Sequence, residues 1–578
     1  MSESGGDGRR DRGRRGERHG GYHGPQSWVG DLSGRRASLT PHRVGLVDAT
    51  TGREFTYADL DRRATRTAAW LDELGVRADD RSGEGTDEGA GTGGRVAVVS
   101  RNRPELVDLF FATGKTGGVL APLSHRLAPP ELAALLSNVD PELVVVEEPF
   151  ADDVAAALDH EAWSGDCPVR SLGADADLDG RAGEEAEDGA AGTTWPRVGD
   201  EVPATAEYEG PDVPPGDPHL FLHTGGSTGI PKETVISHEA VVWNAMNTVT
   251  AWGVRPDDVT PLTFPMFHTG GWNVITVPLF HMGGEVVIAR EFDPGQVLSV
   301  VDDRGATVLV AVPAVLRMMV EHDRWASTDL STLRFAKSGG GPCRESVMDA
   351  WWDRGVDLSQ GYGLTECGPN NFAMPEGWPR EKSDTVGVPN PYVDARVVDD
   401  GSECAPGEIG ELQLRSPHAA DRYWQAPEET AETFGERGAD DGDGDDGDGP
   451  GDGWLSTGDL ARVDEDGYVS IEGRMKNMYV SGGENVYPAE VEDAIADHSG
   501  VAEVVVVPVP DEQWGQVGKA VVESADGSES LTVADLSAFL DGRLARFKHP
   551  KHLAFVDEMP TSGPSKIDRE AVADEFGE

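Results

Sequence analysis

The sequence predicts an α/β protein with a large, multi-subdomain N-terminal domain of mixed and parallel sheets and a small C-terminal α+β domain. Three observations predict it. At 578 residues the chain is too long for one ordinary hydrophobic core, so at least two domains are expected. Short apolar runs alternate with amphipathic helical segments through the N-terminal part, the pattern of strands joined by helical crossovers. After 467-GYVSIEGRMKN-477 the texture changes to a compact α+β pattern of ordinary small-domain size.

Residues 1–27 are a low-complexity Gly, Arg and His tail that is expected to be disordered. The N-terminal domain is assigned to 28–475. It begins with a hairpin over 45–60 and an amphipathic helix over 58–75. An acidic insert at 79–94 precedes the apolar strand 95–100, a helix over 104–117, a strand at 119–123, a helix over 129–139 and a strand at 142–148. A second acidic spacer, 173–200, leads to a glycine-rich loop. Apolar runs at 284–290, 306–312 and 333–340 continue the alternation. A third spacer, 436–453, contains 443-DGDGDDGDG-451 but lacks the spacing and terminal glutamate of a calcium-binding loop, so a solvated surface loop is expected. The C-terminal domain, 476–578, reads as helix 488–498, strands 502–509 and 518–524, helix 532–545 and strand 553–559.

The net charge of −55 and pI near 4.4 are extreme, and the acid is spread over nearly every segment. A carboxylate-rich surface solvated in concentrated salt, as in a halophile, explains that spread better than an acidic binding tail. Nucleic acid and anionic membrane surfaces are excluded as partners because they would be repelled. The longest apolar run, 308-VLVAVPAVL-316, is too short to span a bilayer, and no apolar leader is visible, so a cytoplasmic protein is expected. Four scattered cysteines suggest neither zinc nor a disulfide framework. Lysine occurs only nine times, which raises Lys232 and Lys566, each in a glycine-containing loop, above incidental surface charge.

The run 224-TGGSTGIPKE-233 has the composition of a phosphate-holding loop. It is not a Walker loop, because Pro231 rather than glycine precedes the lysine and Glu233 follows it. What remains is a Gly/Ser/Thr hairpin whose amides and hydroxyls can donate to phosphate oxygens, or else a plain glycine-rich turn.

Four further motifs and one lysine loop come after it in order: 265-PMFHTGGWN-273, 361-GYGLTE-366, 454-WLSTGDL-460, 471-IEGRMKNMYVSGGENVYPAEVE-492 and 559-MPTSGPSKIDR-569. Together they resemble the AMP-forming ligase superfamily of acyl-CoA synthetases, aryl-CoA ligases, adenylation domains and firefly-type luciferases, over almost the whole chain. The resemblance implies an ATP-dependent carboxylate–CoA ligase that uses Mg²⁺, forms an acyl-adenylate with pyrophosphate release and then passes the acyl group to coenzyme A. Such an enzyme must supply cations and donors where charge gathers on the phosphates.

Carried onto this sequence, the resemblance assigns Thr224, Gly225, Gly226, Ser227, Thr228, Gly229 and Lys232 to the β and γ phosphates. It makes Tyr362 the ring beside adenine, with Gly363 next to it, Thr365 a phosphate donor and catalytic residue, and Glu366 the Mg²⁺ ligand. Gly339, Gly340 and Gly341 become the backbone that passes close to adenine. Asp459 takes the ribose hydroxyls and Arg474 is a second ribose or phosphate contact. His268, with Trp272 and Asn273, lines the acyl pocket; an ordinary histidine packed among aromatic rings is the competing reading.

The resemblance also implies a mobile C-terminal lid. Lys566 is then the catalytic lysine at the α-phosphate, Lys476 the hinge, and Ser481, Gly482 and Gly483 part of the coenzyme A tunnel. Two positions depart from the family pattern: Ser565 and Glu233 stand where glycine is usual. A carboxylate beside phosphates would repel them, so Glu233 is expected to face outward or to be salt-bridged. Two other functions stay open: a stand-alone enzyme that loads a carrier protein, and a non-catalytic adenine-nucleotide-binding protein. Either a monomer or a homodimer fits the sequence, and the acid remains fatty, aryl or branched.

Overall fold

The structure is a computed structural model that describes residues 30–78, 93–173, 195–224, 232–435, 453–481, 484–511, 514–525, 531–541, 543–544, 546–561 and 567–577. The expected N-terminal tail and the calcium-like acidic run lie outside the described residues, as does most of the other two inserts. The end of the second insert is not a spacer. Trp195–Asp200 returns to the sheet, where the Ser171 amide donates to the Pro196 carbonyl, and opens a short helix, Val198–Glu201.

The centre is a seven-stranded sheet in the order Arg422–Tyr423, Lys232–Ser237, Pro218–Thr224, Val119–Leu123, Arg95–Val99, Leu143–Glu147, Val169–Leu172. Five of these strands run parallel, with Lys232–Ser237 antiparallel to Pro218–Thr224 at one side. Helices cover both faces, which is why the strands read as continuous apolar runs rather than alternating ones. Leu220, Leu222 and Ile236 pack on the side of helices Tyr57–Glu73 and Pro104–Thr116. Phe221 and Val235 pack on the side of helices Pro129–Val139 and Ala151–Leu158.

The helix Tyr57–Glu73 begins at a capping box, in which Thr56 accepts from the Asp59 amide and Asp59 accepts from the Thr56 amide. It is locked to Pro104–Thr116 by a buried pair. Arg63 donates Nε to Asp108 Oδ1 at 2.9 Å and Nη2 to Oδ2 at 2.6 Å. Both side chains are fully buried, so removing either partner alone would cost about 3–5 kcal/mol. Beside this helix pair, His219 and His238 stack at 4.3 Å with ring planes 8° apart. They line a small cavity together with His281 and Phe110.

A second sheet pairs Val44–Asp48 and Arg53–Thr56 with Glu285–Ile288 and Val259–Pro261, and a third runs parallel through Val308–Ala311, Phe335–Ser338 and Leu358–Gln360. A five-stranded antiparallel sheet holds Ser402–Glu403, Asp394–Asp399, Ile409–Arg415, Leu455–Val463 and Val469–Arg474. The chain leaves that sheet through a short 3₁₀ turn, Met475–Asn477, and enters a separate one at Tyr479–Ser481. This last sheet, with Val501–Asp511, Gly515–Ser524 and His552–Val556, carries its own apolar cores. It touches the larger unit where Arg344 donates to the Ala502 carbonyl at 2.5 Å and pairs with Glu503 at 3.0 Å. Among the described residues, no helix is long and apolar enough to cross a membrane.

Candidate active site

The hairpin Pro218–Thr224/Lys232–Ser237 delivers the glycine-rich loop. Thr224 and Lys232 are its last cross-strand partners, while Gly225, Gly226, Ser227, Thr228 and Gly229 lie outside the described residues. Lys232 Nζ pairs with Glu429 Oε1 at 3.2 Å and sits 5.4 Å from the centre of the Tyr423 ring. The Tyr423 hydroxyl donates to Glu366 Oε1 at 2.7 Å, and burial with the nearby Glu366 charge pushes its pKa up. One tyrosine therefore bridges the loop lysine and the acid of 361-GYGLTE-366. Neither Tyr423 nor Glu429 carries a sequence signal; Tyr423 is brought in by pairing of the short edge strand Arg422–Tyr423 with Val235 and Thr234, and Glu429 by the helix that follows, Pro427–Phe434.

Glu366 is the one described residue that the sequence points to as a metal ligand, and no described cluster of three acidic, His or Cys side chains could hold an ion alone. That donor set suits Mg²⁺ carried in by phosphates, which needs one or two carboxylates and otherwise keeps its waters. Tyr423 holds one Glu366 oxygen and so fixes the direction of the carboxylate.

A second constellation forms at the ends of two other sheets. Tyr362, just after the strand Leu358–Gln360, donates its hydroxyl to Asp459 Oδ2 at 2.5 Å. Arg474, opposite Asp459 in the β-ladder, places Nε 2.6 Å from Oδ1. Asp459 is 4 % exposed, and burial followed by the Asp459 charge raises the Tyr362 pKa far above its ordinary value. Gly339 and Gly341 have open space where a Cβ would stand, and Gly340 has φ +85° with only Val312 nearby. This leaves room for a flat group against the backbone. Gly363 serves the turn itself, because a Cβ there would lie 2.3 Å from the Pro369 backbone. Thr365 is half-buried at the same turn.

In 265-PMFHTGGWN-273 the two glycines have a packing cause. A Cβ on Gly271 would lie 2.4 Å from the Pro265 carbonyl, and one on Gly270 would lie 2.7 Å from the Phe264 ring. They permit a π-helical turn, Gly270–Val274, to fold against that backbone. His268 is half-buried, its ring 4.5 Å from Phe267 and 5.9 Å from His223. Trp272 differs from the expectation of a pocket wall. It is 0 % exposed, stacks on Phe110 at 4.9 Å and donates its indole N–H to the Met266 carbonyl, so it is a core residue. Asn273 is also buried, with its Nδ2 3.3 Å from Thr269 Oγ1.

Glu233 overturns the expectation of an outward or salt-bridged side chain. It lies on an inner strand, opposite His223, is 0 % exposed, and neither carboxyl oxygen has a hydrogen-bond partner among the described residues. Burial alone pushes its pKa up to about 8, and burial followed by the nearby His268 charge pushes His223 down to about 3. At neutral pH the pair is uncharged, so Glu233 itself adds no negative charge beside the loop. Its backbone carbonyl accepts from the Trp424 amide.

Of the C-terminal candidates, Lys476 is exposed in the 3₁₀ turn and Ser481 is buried at a strand end. Gly482, Gly483 and Lys566 lie outside the described residues.

The AMP-binding enzyme profile matches residues 34–424, and the profile of the AMP-binding enzyme C-terminal domain matches 490–566. The chain belongs to the AMP-binding enzyme family. A feruloyl-CoA synthase of an Amycolatopsis species is 34 % identical over 95 % of this chain and 99 % of its own length. A long-chain-fatty-acid–CoA ligase, FadD13 of Mycobacterium tuberculosis, is 31 % identical over 95 % of this chain and 98 % of its own. Among solved structures, ATP-bound MatB from Rhodopseudomonas palustris superposes with a TM-score of 0.79 at 28 % identity, covering 95 % of this chain and 99 % of that one.

Proposed function

We propose that this AMP-binding enzyme is an ATP-dependent carboxylate–CoA ligase, cytoplasmic in a halophile and working with Mg²⁺. The observation that carries the reading is the meeting of Tyr362 with a strand pair from nearly a hundred residues further along the chain, which brings Asp459 and Arg474 together around one carboxylate. Asp459 accepts the ribose hydroxyls of ATP, and Arg474 turns to a ribose or phosphate oxygen as they arrive. Adenine lies between Tyr362 and the bare backbone of Gly339–Gly341. Lys232 and the loop before it hold the β and γ phosphates. Mg²⁺ on Glu366 supplies charge neutralisation to the phosphates when bound.

The substrate carboxylate attacks the α-phosphorus, and the bond to the bridging oxygen breaks, so that pyrophosphate leaves with the electron pair. Lys566, the last residue matched by the C-terminal profile, meets the charge on the α-phosphate. The lid then turns about Lys476, and Ser481 to Gly483 guide the pantetheine thiol to the acyl carbonyl. The C–S bond forms, the thiol proton is released, and AMP departs. The family's relatives are named for a feruloyl and for a long-chain fatty acyl group, and either class of acid suits this chemistry.

AMP and pyrophosphate release in concentrated potassium chloride, over carboxylates of graded length and shape, tests the reading. Release that requires both an acid and CoA is expected. Tight ATP binding without AMP release for any acid would leave only a nucleotide-binding protein.

A further inference from the structure

Buried polar atoms without partners gather in one place beside the candidate acyl site. The helix His238–Trp252 presents Asn244, Asn247 and Thr248 on one face, at spacings of three and four. The π-helical turn and the residues Asn370 and Asn390 close over that face, and every one of these asparagines is at most 3 % exposed. Asn370 Nδ2 donates to Thr248 Oγ1 at 2.7 Å and to the Val274 carbonyl at 2.8 Å. Asn247 and Asn390 both donate Nδ2 to the Asn370 carbonyl, at 2.7 and 3.0 Å, and Asn244 donates to the Asn273 carbonyl at 2.5 Å.

These donations fix which way the amides point. A main-chain carbonyl can only accept, so the atom facing it on Asn244, Asn247 and Asn390 must be Nδ2. Their Oδ1 atoms, and that of Asn273, are left buried without a donor among the described residues. A lone buried acceptor loses its hydrogen bonds to water with nothing in return, and a connected cluster that leaves four of them is short of donors. No charged side chain is part of the cluster, so a cationic group would arrive without a counter-ion. The missing partner is therefore a neutral donor.

Resting on the ligase reading, we propose that this amide cluster recognises a neutral hydroxyl or N–H on the acyl group, remote from its carboxylate. The preferred acids are then hydroxyl- or N–H-bearing rather than plain hydrocarbon.

Matched pairs test it by AMP release: 4-hydroxycinnamate against cinnamate, 4-hydroxyphenylacetate against phenylacetate, and 10-hydroxydecanoate against decanoate. In at least one pair the hydroxyl member should be favoured tenfold or more in kcat/KM. Asn247→Leu, and Asn247→Ser should the leucine variant not fold, should bring that ratio to within about threefold of unity, because a site built to pair a donor discriminates only while its acceptor is present. Parity or a reversed preference in every pair, with AMP still released, would mean that water alone fills the cluster and would overturn the proposal. So would a ratio unmoved by substitution at Asn247. No release with any acid would instead defeat the ligase reading on which it rests.

Discussion

Asp459 and Glu233 are both strand carboxylates beside the same site, 4 % and 0 % exposed, yet their surroundings differ in every other respect. Asp459 sits between the Tyr362 hydroxyl and the Arg474 guanidinium, with a donor on each oxygen. Glu233 faces a neutral histidine across the ladder, and no donor among the described residues reaches either oxygen. Burial alone does not decide the charge of an acid; the donors within reach do. One carboxylate is prepared as an anion that can exchange internal donors for those of a ligand. The other is kept as a neutral acid next to the loop proposed to hold phosphate.

Three measurements would break or sharpen the contrast. The largest effect is expected at Asp459. Asp459→Ala removes two hydrogen bonds to an ion and should lower kcat/KM for ATP by roughly a hundredfold or more, leaving KM for the carboxylic acid little changed. Tyr362→Phe removes one of those donors and should cost about tenfold. Equal losses for ATP and for the acid would show that the Asp459 cluster is a general structural support.

Glu233 should act on stability, with the opposite pH sense from an ion-paired acid. Its folded pKa, near 8, is raised above the ordinary 4.5, so the folded chain keeps a proton that the unfolded chain releases. Its contribution is fully present below about pH 4.5 and is lost as pH rises through 8. Glu233→Gln escapes that loss and should be more stable than the parent by about 3 kcal/mol at pH 7, with the difference vanishing near pH 4.5. Denaturant midpoints at fixed salt would show it, and a difference independent of pH would mean that Glu233 is ionised in the fold.

The smallest effect per residue lies on the acid side. Burial lowers His219 and His281 to about 4 and holds His238 well below its ordinary value, so each is held neutral in the fold. Their folded pKa values lie below the ordinary 6.5. The stability they contribute is present above 6.5 and is lost as pH falls, by about 2 kcal/mol each for His219 and His281 at pH 5. His238→Leu should flatten this acid limb without moving the alkaline limb set by Glu233. If both limbs moved together, the two regions would not be independent.

Much of this was legible in the sequence, for identifiable reasons. The strands at 95–100, 119–123 and 142–148 announce themselves because both sheet faces are buried, which makes them wholly apolar. The same feature concealed Glu233. On a strand whose six residues are nearly all buried, position parity does not separate inside from outside, so an outward direction had no outside to reach. Trp272 was misplaced because an aromatic residue in a functional motif suits a pocket wall and a core equally well; only its stacking on Phe110 decides. Tyr423 came from pairing between strands nearly two hundred residues apart, which no local pattern carries. The antiparallel sheet was open to detection, since Ile409–Arg415 alternates in burial at the period of a half-solvated strand.

The π-helical turn Gly270–Val274 has a genetic meaning as well as a geometric one. A π turn holds one residue more than the α turn it replaces. Deleting a single codon within it would let the segment relax toward an ordinary helix, rotate the adjoining helix Thr276–Met282 by about 100° and swing the Asn273 and Val274 carbonyls away from Asn244 and Asn370. The proposed acyl side of the enzyme could thus be recast in one mutational step, while Asp459 and Arg474, paired in a separate sheet, kept the arrangement proposed to take the nucleotide. Diversification of such a ligase by laboratory evolution would do well to sample length at this turn before it samples side chains.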